Sequence, residues 1–295
     1  MINFKQALNE KRPNLSQSSL DKYDSTLRTL FKNVFKSKDY DIAKLKETDK
    51  ILESLKTVPA DKRKTILSAL FVLTGIPEYK EQMISDIDTY NEETSTHQMN
   101  QKTEDNWITK ADIETKLNEL SKSASIIYKL DNPTFKQLRI IQLYVLLALQ
   151  GGVYIAPRRC ADWCYFKIGD INKQINNYVS GNVLVFNSYK TAKSHGQETI
   201  TIPTELKAIL TKYIRYIKPL NDNLFFNNKG LAISSTTITL MLNSIFGKHV
   251  GVNILRKVYL TTKYGGMLKQ QADLAQDMKN MGSSGSQVNH YLLQK

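Results

Sequence analysis

An apolar run in the middle of the chain most constrains how the protein can fold. Residues 140–156 read IIQLYVLLALQGGVYIA and lead almost directly into Arg158 and Arg159. The run is interrupted by Gln142, by Gln150 and by a pair of glycines, whereas a membrane span needs about 20 largely uninterrupted apolar residues. The pattern therefore predicts a helix buried in a protein core, and a chain with at least one sizeable helical domain.

Helical patterns dominate the remaining sequence. Apolar residues share one helical face between Leu20 and Phe35, with serines upstream that can cap the helix, and a second apolar helix ends at Gly75. Further helices are expected at about 110–121 and 133–149, and then at ELKAILTKYIRYI, SSTTITLMLNSIF, NILRKVYLTTKYG and LKQQADLAQDMKNMG. Short strands are expected at 163–168, 182–187 and 198–203. The predicted fold class is mainly α with a small three-stranded antiparallel β-sheet.

A polar stretch divides this pattern into two parts. Residues 81–106 are poor in apolar periodicity, which is typical of a helix end followed by a linker. We expect a helical domain at 1–85, a linker at 86–106 and a mixed domain at 107–295.

Charge and cysteine content limit the class of function. Lys and Arg number 41 against 28 Asp and Glu, a net charge of +13, which favours a polyanionic partner such as nucleic acid. No basic amphipathic helix suggests binding to a membrane surface. The start of the chain lacks the apolar stretch of a secretion signal, and the cysteines, Cys160 and Cys164, form no zinc pattern with the four histidines. We therefore expect an intracellular protein in a reducing compartment, either nucleus or cytoplasm.

Four side chains occur in an order that suggests a phosphodiester-cleaving site. Arg159 follows a helix end with Asp162 three residues on, Lys190 lies in a turn between two expected strands, Arg256 lies in the helical stretch NILRKVY, and Tyr291 is near the end. This ordered set resembles the tyrosine recombinase, or phage-integrase, family over most of the chain.

The resemblance implies a role for each of these residues. Arg159, supported by Asp162, stands at the first catalytic arginine, Lys190 at the hairpin lysine, Arg256 at the second arginine and Tyr291 at the nucleophile. It also implies a two-domain clamp around duplex DNA, in which residues 1–85 form the core-binding domain and residues 107–295 the catalytic domain.

Other residues are alternatives to this set or depart from the family pattern. Arg158 and Lys193 are the second choices for the first arginine and the lysine, and His249 is a lower-ranked candidate. Asn253 occupies the place where the family usually has a histidine. Ser283 follows a glycine where the family usually has a histidine or tryptophan.

The chemistry explains why such residue types are needed. Two guanidinium groups can bind the oxygens on which charge develops when a phosphodiester is attacked. A tyrosine hydroxyl, with a reference pKa of about 10, needs a positive environment to become a nucleophile. An ammonium group can protonate the leaving 5′ oxygen. A phosphotyrosine intermediate keeps the energy of the broken bond, so we expect no cofactor, neither ATP nor metal.

Singly, each residue has an ordinary structural explanation: Arg159 could pair with Asp162 or Asp170, and Tyr291 could simply pack. Together they predict a site-specific recombinase or integrase that acts as a homotetramer on double-stranded DNA with a specific target site. Its abundant Lys, Asn and Ile suggest a mobile element or a large DNA virus as the source. Two alternatives stay open, a DNA-binding protein with a decayed active site and an enzyme like type IB topoisomerases.

Overall fold

Helices make up most of the computed structural model, which describes residues 4–95 and 98–281. Contacts divide the chain into two units, Met1–Met99 and the residues from Asn100 onward. The only sheet in the described residues has three antiparallel strands. The predicted fold class is therefore confirmed at this level.

The first unit is entirely helical in its described residues. Its elements are α1 (Phe4–Lys11), α2 (Gln17–Phe35), the 3-10 helix η1 (Ala43–Lys46), α3 (Thr48–Leu55), α4 (Ala60–Thr74) and α5 (Pro77–Ser95). The Ser16 hydroxyl caps α2 by accepting a hydrogen bond from the Ser19 amide, as expected from the upstream serines. Gly75, at φ 72°, adopts the left-handed conformation that ends α4.

Helix α5 continues ten residues past the domain boundary expected at 85. Asp86 lies on α5 and is 1% exposed. It forms a bidentate ion pair with Arg63 of α4, whose Nη2 and Nε donate to the two carboxylate oxygens at 2.6 and 2.8 Å. This pair joins α5 to α4 in a segment whose sequence carries little apolar periodicity, which explains why the helix was missed. Residues 86–95 are therefore helical.

The second unit surrounds its core with helices and carries the sheet. Its elements are α6 (Gln101–Asp105), α7 (Lys110–Ile127), α8 (Phe135–Gln150), the 3-10 helix η2 (Cys160–Trp163), β1 (Tyr178–Ser180), β2 (Val183–Phe186), α9 (Ala192–His195), β3 (Glu198–Thr201), α10 (Thr204–Ile217), α11 (Ser235–Phe246) and α12 (Val252–Asn280). Strand β2 is central, with Val185 opposite Tyr178 on one side and Thr199 on the other.

The apolar run forms the buried helix α8, as predicted. Residues 145–151 are all buried, and Thr134 and Gln137 form a capping box at the start of the helix. Among the described residues, no helix is both long enough and apolar enough to cross a bilayer.

One expected strand and the last two expected helices differ in the structure. Residues 163–168 are not a strand: Trp163 ends η2, and its ring packs 5.2 Å from Phe166 and 5.4 Å from Phe186, so the apolar residues there fill an aromatic cluster. The first strand is β1 instead. The last two expected helices are one continuous helix, α12, because two interior glycines cost about 1 kcal/mol each without preventing a helix.

Candidate active site

Arg158 and Arg159 are neighbours in sequence with different surroundings. The Arg158 Nε donates to Asp162 Oδ2 at 2.9 Å, and its Nη1 donates to Glu198 Oε2 at 2.6 Å. Its guanidinium lies 4.0 Å from the centre of the Phe186 ring. Arg158 therefore ties η2 to β3 from a position in which its side chain is only 15% exposed.

The carboxylates that flank Arg158 respond to it differently. Burial raises the pKa of Asp162 above its usual range, in spite of the opposing effect of Arg158. The hydrogen bond from Arg158 lowers the pKa of the more exposed Glu198. Since Asp162 is 2% exposed and its Oδ1 has no hydrogen-bond partner among the described residues, its charge depends on Arg158.

Arg159 is in the opposite situation. It stands at the N-cap of η2, is partly exposed, and has no hydrogen-bonded or ion-paired side-chain partner within residues 4–95 and 98–281. Asp162 bonds to Arg158 rather than to Arg159, although the positive charge of Arg159 also acts to lower the pKa of Asp162, and no ion pair joins Arg159 to Asp170. The guanidinium of Arg159 is therefore free to bind a ligand as far as the described residues are concerned.

The first turn of α12 lies beside η2. Thr239 of α11 lies near both: its hydroxyl is 3.9 Å from the Cys160 sulfur in η2, and its methyl group lies next to Gly251, the residue before α12. The Val252 amide is also close enough to the Cys160 sulfur to lower the pKa of that thiol, against the larger effect of burial, which raises it. The start of α12 and the start of η2 are thus close neighbours.

Arg256 and Asn253 extend from this first part of α12. Arg256 is partly exposed and Asn253 is exposed, and neither has a side-chain hydrogen bond or ion pair among the described residues. The neighbouring Lys257 instead bonds to Thr103 of α6 at 3.4 Å. Of the two adjacent cations, Arg256 is the one without a partner in the described chain.

Lys190 lies in the connection between β2 and β3, as the sequence predicts. The Tyr189 hydroxyl closes this connection by donating to the Gly196 carbonyl at 2.8 Å, and the Tyr189 ring lies 5.2 Å from the Arg158 guanidinium. Lys190 and Lys193, the latter in α9, are both exposed and unpaired among the described residues. The connection is therefore in contact, through Arg158, with the arginine-bearing turn.

The remaining predicted residues are either peripheral or not described. The His249 backbone amide donates to Asn106 Oδ1 at 2.9 Å, which anchors the loop before α12 and leaves the residue exposed. Ser283 and Tyr291 lie outside the described residues. Their expected roles stay predictions.

The positive charge of the chain belongs to the second unit. Residues 100–295 contain 25 of the 41 Lys and Arg but only 13 of the 28 Asp and Glu. Arg159, Lys190 and Arg256 thus lie in a unit with few acidic residues to compete for them. A polyanion is the ligand that such a distribution favours.

Sequence reasoning missed Asn177, which joins two parts of this site. It is 5% exposed and hydrogen-bonds both η2 and the start of the β2–β3 connection. Its only sequence signal is an asparagine immediately before a strand, which is common in turns.

Comparisons with known proteins give the following likenesses. No protein-family model and no curated protein matches the sequence. The structure is similar to XerA recombinase (14% identity, 88% of this chain and 84% of that chain, TM-score 0.36). It is also similar to a lambda integrase dimer bound to a COC′ core site, with 14% identity, coverage of 89% of this chain and 70% of that chain, and a TM-score of 0.47. A third likeness is to XerH site-specific recombinase bound to difH substrate, with 12% identity, coverage of 89% of this chain and 85% of that chain, and a TM-score of 0.40. At TM-scores below 0.5, these likenesses say nothing about the chemistry of this chain.

Proposed function

We propose that this protein is a DNA strand-transferring enzyme, a site-specific tyrosine recombinase that acts as an integrase. One observation carries the proposal: η2, the β2–β3 connection and the first part of α12 are neighbours, and each bears a cation without a carboxylate partner among the described residues. These cations are Arg159, Lys190 and Arg256. The carboxylates in this region, Asp162 and Glu198, are both bonded to Arg158. An anion such as a phosphate is therefore the ligand that would best neutralise the three unpaired cations.

The proposed reaction uses each group once. The hydroxyl oxygen of Tyr291 attacks the phosphorus, forming an O–P bond as the bond from phosphorus to the 5′ oxygen breaks. Arg159 and Arg256 bind the non-bridging oxygens, on which negative charge increases in the transition state. The Lys190 ammonium gives its proton to the leaving 5′ oxygen. The tyrosine proton leaves to water, and the 3′-phosphotyrosine is resolved when a 5′ hydroxyl attacks it in the reverse sense.

Asn253 and Ser283 would serve this reaction by geometry alone. An amide and a hydroxyl can donate hydrogen bonds to a phosphate oxygen, but neither carries a titrating proton near neutral pH. The proposed site therefore contains no histidine base at these two positions, which bears on its pH dependence.

The proposed partner is double-stranded DNA with a specific target site, bound by a homotetramer. In this proposal the helical unit at the start of the chain contacts DNA and the second unit cleaves it. The basic excess of the second unit supports its contact with the phosphate backbone.

Covalent capture tests the proposal directly. The protein is incubated with nicked duplexes whose central sequence is randomised, so that cleavage releases a short fragment and traps the adduct, and the trapped DNA is sequenced. We expect adducts restricted to a narrow set of sequences. Adducts on all sequences alike would instead indicate an activity like that of type IB topoisomerases. DNA binding without any adduct would indicate a binding protein with a decayed site.

A further inference from the structure

The side-chain amide of Asn177 uses all of its hydrogen-bonding capacity to join two parts of the candidate site. Its Nδ2 donates to the carbonyl of Asp162 in η2 and to the carbonyl of Ser188, both at 2.8 Å. Its Oδ1 accepts from the backbone amides of Asn187 at 2.9 Å and Ser188 at 2.8 Å. An asparagine amide has two donors and two acceptor sites, so no capacity is left over.

These bonds hold the segment that immediately precedes Lys190. Among the described residues, no other side chain hydrogen-bonds both η2 and residues 187–190. The Asn187 side chain, in turn, donates to the carbonyl of Asn176 at 2.8 Å and accepts from Gln197 at 2.7 Å, which draws the two ends of the connection together. Lys190 is exposed, and its side chain makes no hydrogen bond or ion pair among the described residues that would hold the β2–β3 connection in place.

We propose that Asn177 is a positioning residue for proton transfer: it holds the β2–β3 connection against η2, so that the Lys190 ammonium reaches the leaving 5′ oxygen of a phosphate bound by Arg159. The inference rests on the proposed function and adds to it a buried group that touches neither DNA nor the reacting atoms. Proton transfer needs heavy atoms within hydrogen-bond reach, so a small displacement of the connection is enough to disable the acid.

A purely structural asparagine and a positioning asparagine differ in a measurable way. Losing a structural residue lowers cleavage of every substrate to a similar extent. Losing a residue that positions the acid lowers only cleavage that needs the acid. A substrate whose bridging 5′ oxygen is replaced by sulfur supplies a leaving group that departs without a proton. The ratio of the sulfur rate to the oxygen rate therefore reports on proton delivery alone.

The experiment measures this ratio in single-turnover cleavage of a captured DNA sequence made with either leaving atom. Lys190→Ala is expected to raise the ratio by about 100-fold or more over wild type, the usual contribution of a general acid. Asn177→Ala is expected to raise it by about 10-fold or more, because the lysine is present but misplaced. The double variant should show no higher ratio than Lys190→Ala alone.

Two further variants complete the design. Asn177→Asp keeps the shape and the accepted bonds but loses both donated ones, so it cuts the link to Asp162 and serves if the alanine variant does not fold. Asn221→Ala is the control: Asn221 is a partly exposed asparagine that donates to the Gly230 carbonyl at 2.8 Å and joins two loops with no candidate residue. Its ratio should stay within about 2-fold of wild type, as for an ordinary surface change.

The outcomes separate the inference from the proposed function. If Lys190→Ala raises the ratio and neither Asn177 variant does, Asn177 is a structural residue only and the inference is overturned while the proposed function stands. If Lys190→Ala itself leaves the ratio unchanged, Lys190 is not the acid, and the inference fails together with the role given to Lys190 in the proposed reaction; the recombinase function itself fails only if no covalent adduct forms. A rise at Asn221 equal to that at Asn177 would also overturn the inference.

Discussion

The contrast between Arg158 and Arg159 yields the sharpest prediction on stability. Arg158→Ala should lower the free energy of unfolding of the second unit, and it removes no proposed contact with DNA. Arg159→Ala should leave the free energy of unfolding unchanged and abolish most DNA cleavage. The reason is that Arg158 is ion-paired with a buried carboxylate, whereas Arg159 makes no ion pair or side-chain hydrogen bond among the described residues.

The size of the effect follows from burial. Removing one partner of a buried ion pair typically costs about 3–5 kcal/mol, and here the charge left behind, on Asp162, is 2% exposed. The bond to Glu198 adds at most about 1 kcal/mol, because that side chain is 39% exposed and screened by water. Arg159→Ala should change stability by no more than about 0.5 kcal/mol. Its cleavage rate should fall by about 100-fold or more, or roughly 3 kcal/mol of transition-state stabilisation.

The loss of stability in Arg158→Ala should depend on pH with a defined sign. Burial already raises the pKa of Asp162 in the folded chain, and removing Arg158 raises it further. The folded variant then binds a proton more readily than the unfolded chain, so its stability falls as pH rises through the folded pKa. The difference in free energy of unfolding between wild type and Arg158→Ala should therefore narrow as the pH is lowered toward about 3.9, the pKa of an aspartate in the unfolded chain.

Urea unfolding and single-turnover cleavage measure the two effects separately. Unfolding is followed at pH 7 and pH 5 by tryptophan fluorescence, since Trp163 lies in the aromatic cluster beneath Arg158. Cleavage is followed by adduct formation under conditions where each variant is folded. Equal stability of the two variants at pH 7, or normal cleavage by Arg159→Ala, would refute the assignment of the two arginines.

Three further predictions concern the chemistry and the partner. Lys193→Ala should not show the sulfur rescue expected for Lys190→Ala; if it alone does, Lys193 is the acid. DNA binding should weaken steeply with salt, with log K falling by about 0.9 per unit of log salt for each phosphate neutralised, and a flat dependence would contradict a basic DNA-binding surface. The cleavage rate should keep rising above pH 7, because Asn253 cannot act as a base. A wild-type profile that levels off near the histidine pKa of about 6.5 would contradict that account. The cleavage rate should fall more in Asn253→Ala than in Asn253→His, because alanine removes the hydrogen bond altogether.

Sequence periodicity located the helices well where one face is strongly apolar. Helix α2 is the clear case: Leu20, Leu27, Leu30 and Phe31 are buried as their spacing predicts. Periodicity failed at α5, where the ion pair of Asp86 with Arg63 replaces apolar contacts. It also failed at 163–168, because a short apolar sequence is expected both for a buried strand and for a segment whose aromatic side chains fill a core.

The sequence order selects the candidate residues, whose roles stay predictions, but it does not reveal their contacts. The order of Arg159, Lys190 and Arg256 could be recognised, whereas the partner of Asp162 could not, since Arg159 and Arg158 precede it by three and four residues and spacing does not choose between them. Asn177 could not be found either, because its importance comes from two backbone segments that meet only in the folded chain.

The identity of the attacking residue is the most direct test of the central proposal. Tyr259 is the strongest rival to Tyr291 among the described residues, since it follows Arg256 by three residues on α12 and its hydroxyl accepts a hydrogen bond from Lys263 at 3.3 Å. Trapped adducts of wild type, Tyr291→Phe and Tyr259→Phe are digested, and the peptide that carries the nucleotide is sequenced by mass spectrometry. The account predicts a modified peptide containing Tyr291, lost in Tyr291→Phe and retained in Tyr259→Phe. An adduct that persists in Tyr291→Phe, or that maps to Tyr259, would contradict it.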